Sequence, residues 1–211
     1  MRYLIFISAV ASLLAACGQR SDSGIWSDTT PAVSYTPVPK PTAYPRLPIY
    51  DTAMVVVEQA PVHWLANAQA QVALPERSGS DDGSTRWLNI DYPDYGIILY
   101  CTFTNVDPLK REEVIVNRTE RMSLNAGGNS TEIIELESDG GFHSNLLVTS
   151  HGTVNPLQFL STDGDRWVVS GTAFLKHAPR PGTEDSIAPA IQAVQADLLR
   201  SLTHLKLRAE I

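Results

Sequence analysis

Cys17 is the residue of this 211-residue chain whose type and surroundings point most directly to chemistry. It closes the run Leu13-Leu14-Ala15-Ala16-Cys17, with a leucine three positions before the cysteine and two small residues between. That is the pattern of a bacterial lipobox. Small side chains let an extended segment enter a signal peptidase, and the thiol sulfur is the nucleophile that accepts a diacylglyceryl group. Cleavage ahead of Cys17 frees an amine for further acylation. Several acyl chains, at about 0.8 kcal/mol per buried CH₂, make a nearly permanent membrane anchor. Ahead of the cysteine stand Arg2 and the 13 uncharged residues from Leu4 to Ala16. This run has signal-peptide length and is too short to span a hydrocarbon core of about 30 Å. Gly18, rather than Asp, follows the cysteine, so the expectation is an outer-membrane lipoprotein facing the periplasm.

No other group of residues makes so specific a pattern. The five histidines, His63, His143, His151, His177 and His204, are scattered, and no two are three or four apart as metal ligands on one helix face would be. His143 and His151 are eight apart; along one strand, at about 3.3 Å per residue, they would stand about 26 Å from each other. A Ser144/His151/Asp139 hydrolase has no support from order or flanking residues. Asp163-Gly164-Asp165 lacks the further ligands of a calcium loop and reads as a hairpin turn. Glu132, Glu135, Glu137 and Asp139 read as a solvated strand face, with an acidic docking surface as the functional alternative. Cys101, inside Gly96-Ile97-Ile98-Leu99-Tyr100-Cys101, reads as a buried thiol. No metal and no cofactor is expected.

Composition bounds the rest. The chain has 16 Lys+Arg against 23 Asp+Glu, a net charge of −7, and no basic block, which argues against a nucleic-acid binder. It is 43% hydrophobic and 18% charged, as ordinary globular proteins are. Three parts follow: a signal peptide over 1–16, the lipidated Cys17 and a Ser/Asp/Thr/Gly-rich tether over 17–36, and a folded part over 37–211. Six of the 14 prolines fall between Pro31 and Pro48, so the approach to the folded part is extended.

The folded part reads as α+β, an antiparallel sheet packed by helices. Met54 to Val57 is a β-branched run. Ser78 to Ser84 is a loop. Trp87 to Tyr92 and Ile97 to Thr104 form a hairpin about Pro93-Asp94-Tyr95-Gly96. Asp107-Pro108 starts a helix. Ile133 to Glu137 with Phe142 to Thr149, and Leu157 to Thr162 with Trp167 to Lys176, are two further hairpins. Ile187, Ile191, Val194, Leu198, Leu202 and Leu205 make the apolar stripe of an amphipathic C-terminal helix, with Asp185 or Ser186 expected as its cap. Arg200, Lys206 and Arg208 close the helix, as its dipole favours.

Several motifs, in the same order, resemble those of GldD, the gliding-motility lipoprotein family of Bacteroidota. The family's Pro-Lys-Pro-Arg-Gly-Tyr-x-Arg is similar to Pro39-Lys40-Pro41-Thr42-Ala43-Tyr44-Pro45-Arg46, with Thr42-Ala43 in place of Arg-Gly. Its Trp-x-Asn-Ile-x-Tyr-Pro matches Trp87 to Pro93. Gln158-Phe159, Thr162-Asp163 and Gly171 resemble a third segment, with Ser170 where the family pattern has Arg, and Asp185-Ser186 with Pro189 a fourth. The resemblance covers about residues 37–207. It implies a lipid-anchored envelope protein of gliding motility and type IX secretion, with other envelope proteins as partners and no catalytic residues. The expected partner surface is Arg46, Trp87, Asn89 and Tyr92. The alternatives are a periplasmic enzyme acting on cell-wall or carbohydrate substrates, marked by His63, His143 or His151 converging with a carboxylate, and a small-ligand or lipid-binding module.

Overall fold

Three hairpins account for most of the sheet, and the alternation of side chains within them decides what each face covers. The computed structural model describes residues 48, 50, 52–149, 152–179 and 184–208. Cys17 and Arg46, the signal peptide and the tether lie outside these.

The chain first makes a short antiparallel ribbon, β1 (Met54–Val56) with β2 (Leu65–Asn67). A seven-stranded antiparallel sheet follows. Its first part is the meander β3 (Gln71–Ala73), β4 (Thr85–Tyr92) and β5 (Ile97–Asn105). Helix α1 (Arg111–Ala126) leaves β5 and leads to a second meander, β6 (Thr131–Glu137), β7 (His143–Thr149), β8 (Leu157–Thr162) and β9 (Trp167–Leu175). The last strand returns to the first meander, giving the order β3-β4-β5-β9-β8-β7-β6. Helix α2 (Glu184–Thr203) closes the fold. Among the described residues, no helix is long and apolar enough to cross a membrane.

The predicted α+β architecture, the three hairpins and both helices are present. Asp107 caps as expected: its Oδ1 accepts from the Leu109 amide at 3.0 Å, starting a 3-10 turn that runs into α1. α1 includes the β-favouring Val114-Ile115-Val116, because Val114 and Ile115 pack against the buried Met122, Leu160 and Val168. Two details differ from expectation. Strand β3 follows the Asn67–Ala70 turn without a sequence signal that distinguishes it. α2 already includes Glu184 and ends at Thr203, so Asp185 and Ser186 stand inside its first turn and Lys206 and Arg208 beyond its end.

The two faces of the sheet are unequal. On the inner face Leu88, Ile90, Tyr92, Leu99, Cys101, Phe103, Leu146, Phe159 and Val169 meet Val194, Leu198 and Leu202 of α2. Trp64, fully buried, lies 5.4 Å from Phe159 in a stacked pair and 5.8 Å from Phe103 edge-on. Each such aromatic contact adds about 0.5–1.5 kcal/mol beyond burial. Burial pushes the Cys101 thiol up, so it stays protonated as the expected small hydrophobe. On the outer face α1 packs chiefly over β8 and the Val168 end of β9. Gln158, fully buried, fastens it there: its Nε2 donates to the Met122 carbonyl at 3.0 Å and its Oε1 accepts from Asn125 at 3.0 Å.

α2 is held by polar contacts at two points. Ser201 Oγ donates to the Leu65 carbonyl at 2.7 Å, and Asp197, 5% exposed, accepts from Arg200 at 3.0 Å and pairs with Asn67. At its C-terminal end, the Asp139 amide donates to the Thr203 carbonyl at 2.8 Å, and Ser138 Oγ donates to the Leu205 carbonyl at 2.6 Å. The Asp139-Gly140-Gly141 turn therefore also anchors the helix. A Cβ on Gly140 would lie 2.5 Å from the Leu205 carbonyl oxygen and collide with Lys206.

Gly140→Ala and Gly171→Ala should each destabilise the protein by about 1–3 kcal/mol, the usual cost of overpacking, seen as a lower urea midpoint with unchanged slope. At Gly171 a Cβ would meet the Phe159 ring and sit 2.9 Å from the Tyr100 carbonyl oxygen. Burial raises the folded pKa of Asp197 above its ordinary 3.8, outweighing Asn67 and Arg200. Its contribution to stability is therefore full below the ordinary value and lost as pH rises through the raised one. Asp197→Asn should remove that loss: relative to the parent, the variant gains stability between pH 3 and pH 7 in urea titrations at the two pH values.

Candidate functional site on the outer face of the sheet

The centre of the outer face, over β4, β5 and β9, is left open by α1. It is lined by the odd-numbered residues of β4 and the even-numbered residues of β5 and β9. The register places Trp87 opposite Thr102, Asn89 opposite Tyr100, and Tyr100 opposite Thr172. Trp87 and Asn89, two expected partner-surface residues, are thus side by side and half-buried.

Tyr92 requires a correction. Three residues from Asn89 on a strand of period two, it points to the opposite face. It is 2% exposed in the main core, stacked on Tyr50 at 6.2 Å, with its hydroxyl pushed up by burial and by the nearby Asp197. It cannot present a surface to a partner. With Tyr95, whose hydroxyl accepts from the Tyr50 amide and donates to the Pro48 carbonyl at 3.0 Å, it receives the incoming chain.

The expected partner surface did not include the most exposed aromatic residues of the face, although Tyr100 belongs to the aromatic cluster of the Trp87–Tyr100 hairpin. Tyr100 is 45% exposed and Phe174 37%, packed edge-on with centroids 6.0 Å apart. Hairpin alternation was the signal available for Tyr100: once Trp87 and Asn89 are placed outward, the turn at 93–96 puts Tyr100 and Thr102 beside them. Phe174 joins them only through the β5–β9 pairing. Beside Trp87, the Arg77 guanidinium carbon sits 6.0 Å from the ring centroid, a cation–π arrangement worth about 0.5–1 kcal/mol when exposed.

Arg77 is carried by the Ser78–Ser84 loop, which folds back along β4. The Trp87 amide donates to the Ser78 carbonyl at 2.8 Å and the Ser80 amide to the Thr85 carbonyl at 2.9 Å. Asp82 braces the loop by accepting from the Ser80 and Ser84 hydroxyls and from the Ser84 amide, which together hold its carboxyl down to about 2. At the other end of the face Lys176 Nζ lies 2.7 Å from Asp91.

Helix α1 forms the second wall. Arg118 and Arg121 face Tyr100, Thr102, Ser170 and Thr172 across a cleft of about 200 Å³. That cleft continues past the same two arginines into one of about 460 Å³ toward Thr85 and Thr104. Past Tyr100 and Thr102 it continues into one of about 250 Å³ toward Trp87, Asn89 and Pro75. The three form one trough. Burial, and then the charge of Arg121, push the Arg118 pKa down, though an arginine so placed remains a cation at neutral pH.

The residues considered for catalysis are spread over other structures. Ser144 shares a hydrogen bond of 2.6 Å with Ser161 and is buried, Asp139 pairs with His204 at 2.6 Å, and His151 lies outside the described residues. His63 bridges through its backbone to Lys206, while His143 faces Glu137 across the β6–β7 hairpin. Among the described residues no three His, Cys, Asp or Glu side chains are grouped to hold a metal. Asp163 does the work of a turn, its Oδ1 accepting from the amides of Asp165, Arg166 and Trp167. Glu132, Glu135 and Glu137 are exposed on the edge strand β6, where charge discourages pairing with a further strand.

The family model described as gliding motility lipoprotein GldD matches residues 34–207. No curated protein matches the chain. The matched span includes every strand and both helices of the described residues.

The Asp82 geometry gives a pH test of the loop that carries Arg77. A depressed carboxyl contributes to stability above its ordinary 3.8 and loses that contribution as pH falls through about 2. The Asp82 carboxyl carbon should titrate by NMR near 2; a midpoint at the ordinary value would show that the loop is not braced in solution.

Proposed function

Because the chain belongs to the GldD family of gliding motility lipoproteins, we propose that it acts by binding, as a periplasm-facing accessory or assembly component of the gliding apparatus and its associated type IX secretion machinery. Family membership makes it a membrane-anchored envelope protein with a role in gliding motility. In this reading Cys17 carries the lipid, residues 17–36 form the tether, and the outer membrane is the destination, since Gly18 follows the cysteine.

One observation carries the binding role: aromatic side chains stand exposed in the middle of a sheet, not at its rim. The outer face of an antiparallel sheet is ordinarily polar where water covers it. Here Tyr100 and Phe174 hold that position, 45% and 37% exposed, with Trp87 on the neighbouring strand. Aromatic residues offer large contact area at low entropic cost and are enriched where proteins meet. Trp87 and Asn89 belong to this surface. Arg46, in the segment leading to the domain, is retained as a candidate contact.

Complementation of a deletion strain of a gliding host tests the proposal. The parent chain should restore spreading and the export of secretion substrates. Cys17→Ala should abolish palmitate labelling and restore neither. Tyr100→Ala with Phe174→Ala should leave a folded, membrane-associated protein that restores neither. Full rescue by the aromatic double variant would overturn the role given to this face, and persistent labelling of Cys17→Ala would overturn the anchor.

A further inference from the structure

Two cations in the trough have no partner. Arg118 and Arg121, three apart on α1, share one face of the helix. Neither makes an ion pair or hydrogen bond with a described residue, although the other arginines near this face do: Arg77 pairs with Asp81, and Arg111 donates to the Gly164 carbonyl. Arg118 is half-buried beside the like charge of Arg121. Two adjacent guanidinium groups, one withdrawn from water, in a chain of net charge −7 are an uncompensated positive feature. Guanidinium groups match carboxylates bidentately.

We propose that the trough between α1 and the sheet binds an extended acidic segment of a protein partner, its carboxylates on Arg118 and Arg121 and an apolar side chain against Tyr100. This inference rests on the reading that the protein acts by binding.

Shape and charge select that occupant. Two of the clefts lie between the helix and the strands and share Arg118 and Arg121, and the third adjoins them at Tyr100 and Thr102, so together they trace an elongated site. Thr102, Thr172 and Asn89 line it with hydrogen-bonding groups suited to a polypeptide backbone. Glu113 is the one acid among the lining residues of the two arginine-bearing clefts, and Lys110 stands with it at that end. A segment lying along the trough meets three cations, Lys110, Arg118 and Arg121, against the single acid Glu113.

The test uses the mature lipidated protein in detergent and a displayed library of random heptapeptides. Enriched peptides should be rich in Asp and Glu. A synthetic copy of one should bind at least tenfold more weakly to Arg118→Gln/Arg121→Gln, and at least tenfold more weakly to the parent when its acids are replaced by amides. Arg118→Lys/Arg121→Lys should recover part of the affinity. The glutamine variant should melt as the parent does, since the arginines hold no ion pair; should it unfold, Thr102→Trp blocks the trough from the sheet side and should produce the same loss. Enrichment of neutral or basic peptides, or equal binding to parent and glutamine variant, would overturn the proposal. So would phosphatidylglycerol vesicles that bind through the two arginines when acidic peptides do not. The gliding assay separates this inference from its premise. A deletion strain that glides normally removes the premise and leaves the peptide measurement to decide the trough. A non-gliding strain fully rescued by the glutamine variant, with no acidic peptide bound, overturns the trough alone.

Discussion

The antiparallel pairing of β5 with β9 is the constraint on which the remaining architecture depends. It joins residues about 70 positions apart over a nine-residue register, from Ile97 opposite Leu175 to Asn105 opposite Trp167. Each meander could form locally, but only this pairing makes one sheet of two. It also sets which residues of the first meander share a face with which residues of the second, since a slip of one position would exchange the faces. Gly171 comes opposite Cys101, and the space left by its missing side chain is where the Phe159 ring lies. Phe159 in turn stacks on Trp64, brought in from the segment between β1 and β2.

The same register separates the two faces by function. The inner face is dry and closed by α2, and its polar groups serve attachment: Ser201 to the ribbon, Asp197 to Asn67, Ser138 to the end of the helix. The outer face is half covered, because α1 runs from a central strand to the edge strand β6 and packs chiefly over β8 and part of β9 on the way. What α1 leaves open is the aromatic surface, and where its flank meets that surface lies the trough with the two arginines.

The motifs that carry the family resemblance divide along this line. Gln158 fastens α1, Phe159 builds the core, Thr162 and Asp163 shape the β8–β9 turn, and Gly171 admits the Phe159 ring. All five are structural. In Trp87 to Pro93 the alternation runs through the motif itself: Leu88, Ile90 and Tyr92 enter the core, while Trp87, Asn89 and Asp91 face outward. A short motif on a strand mixes residues for folding with residues for contact, and grouping Tyr92 with Trp87 overlooked that period of two.

The amino-acid sequence by itself determined what is local. Hairpins with Gly- or Pro-containing turns, the Asp107 cap and the apolar stripe of α2 are set by neighbours within a few residues. The lipobox expected at Cys17 rests on the same kind of signal, a few neighbouring residues read as an extended peptide. The tertiary structure alone decided what depends on distant segments: that β9 lies against β5 and brings Phe174 to Tyr100, that Gly140 must be bare to admit the chain beyond α2, and that Arg118 and Arg121 stand beside the open face of the sheet. Along a helix those arginines read as ordinary solvated charges, because nothing within four residues records which surface the helix will cross.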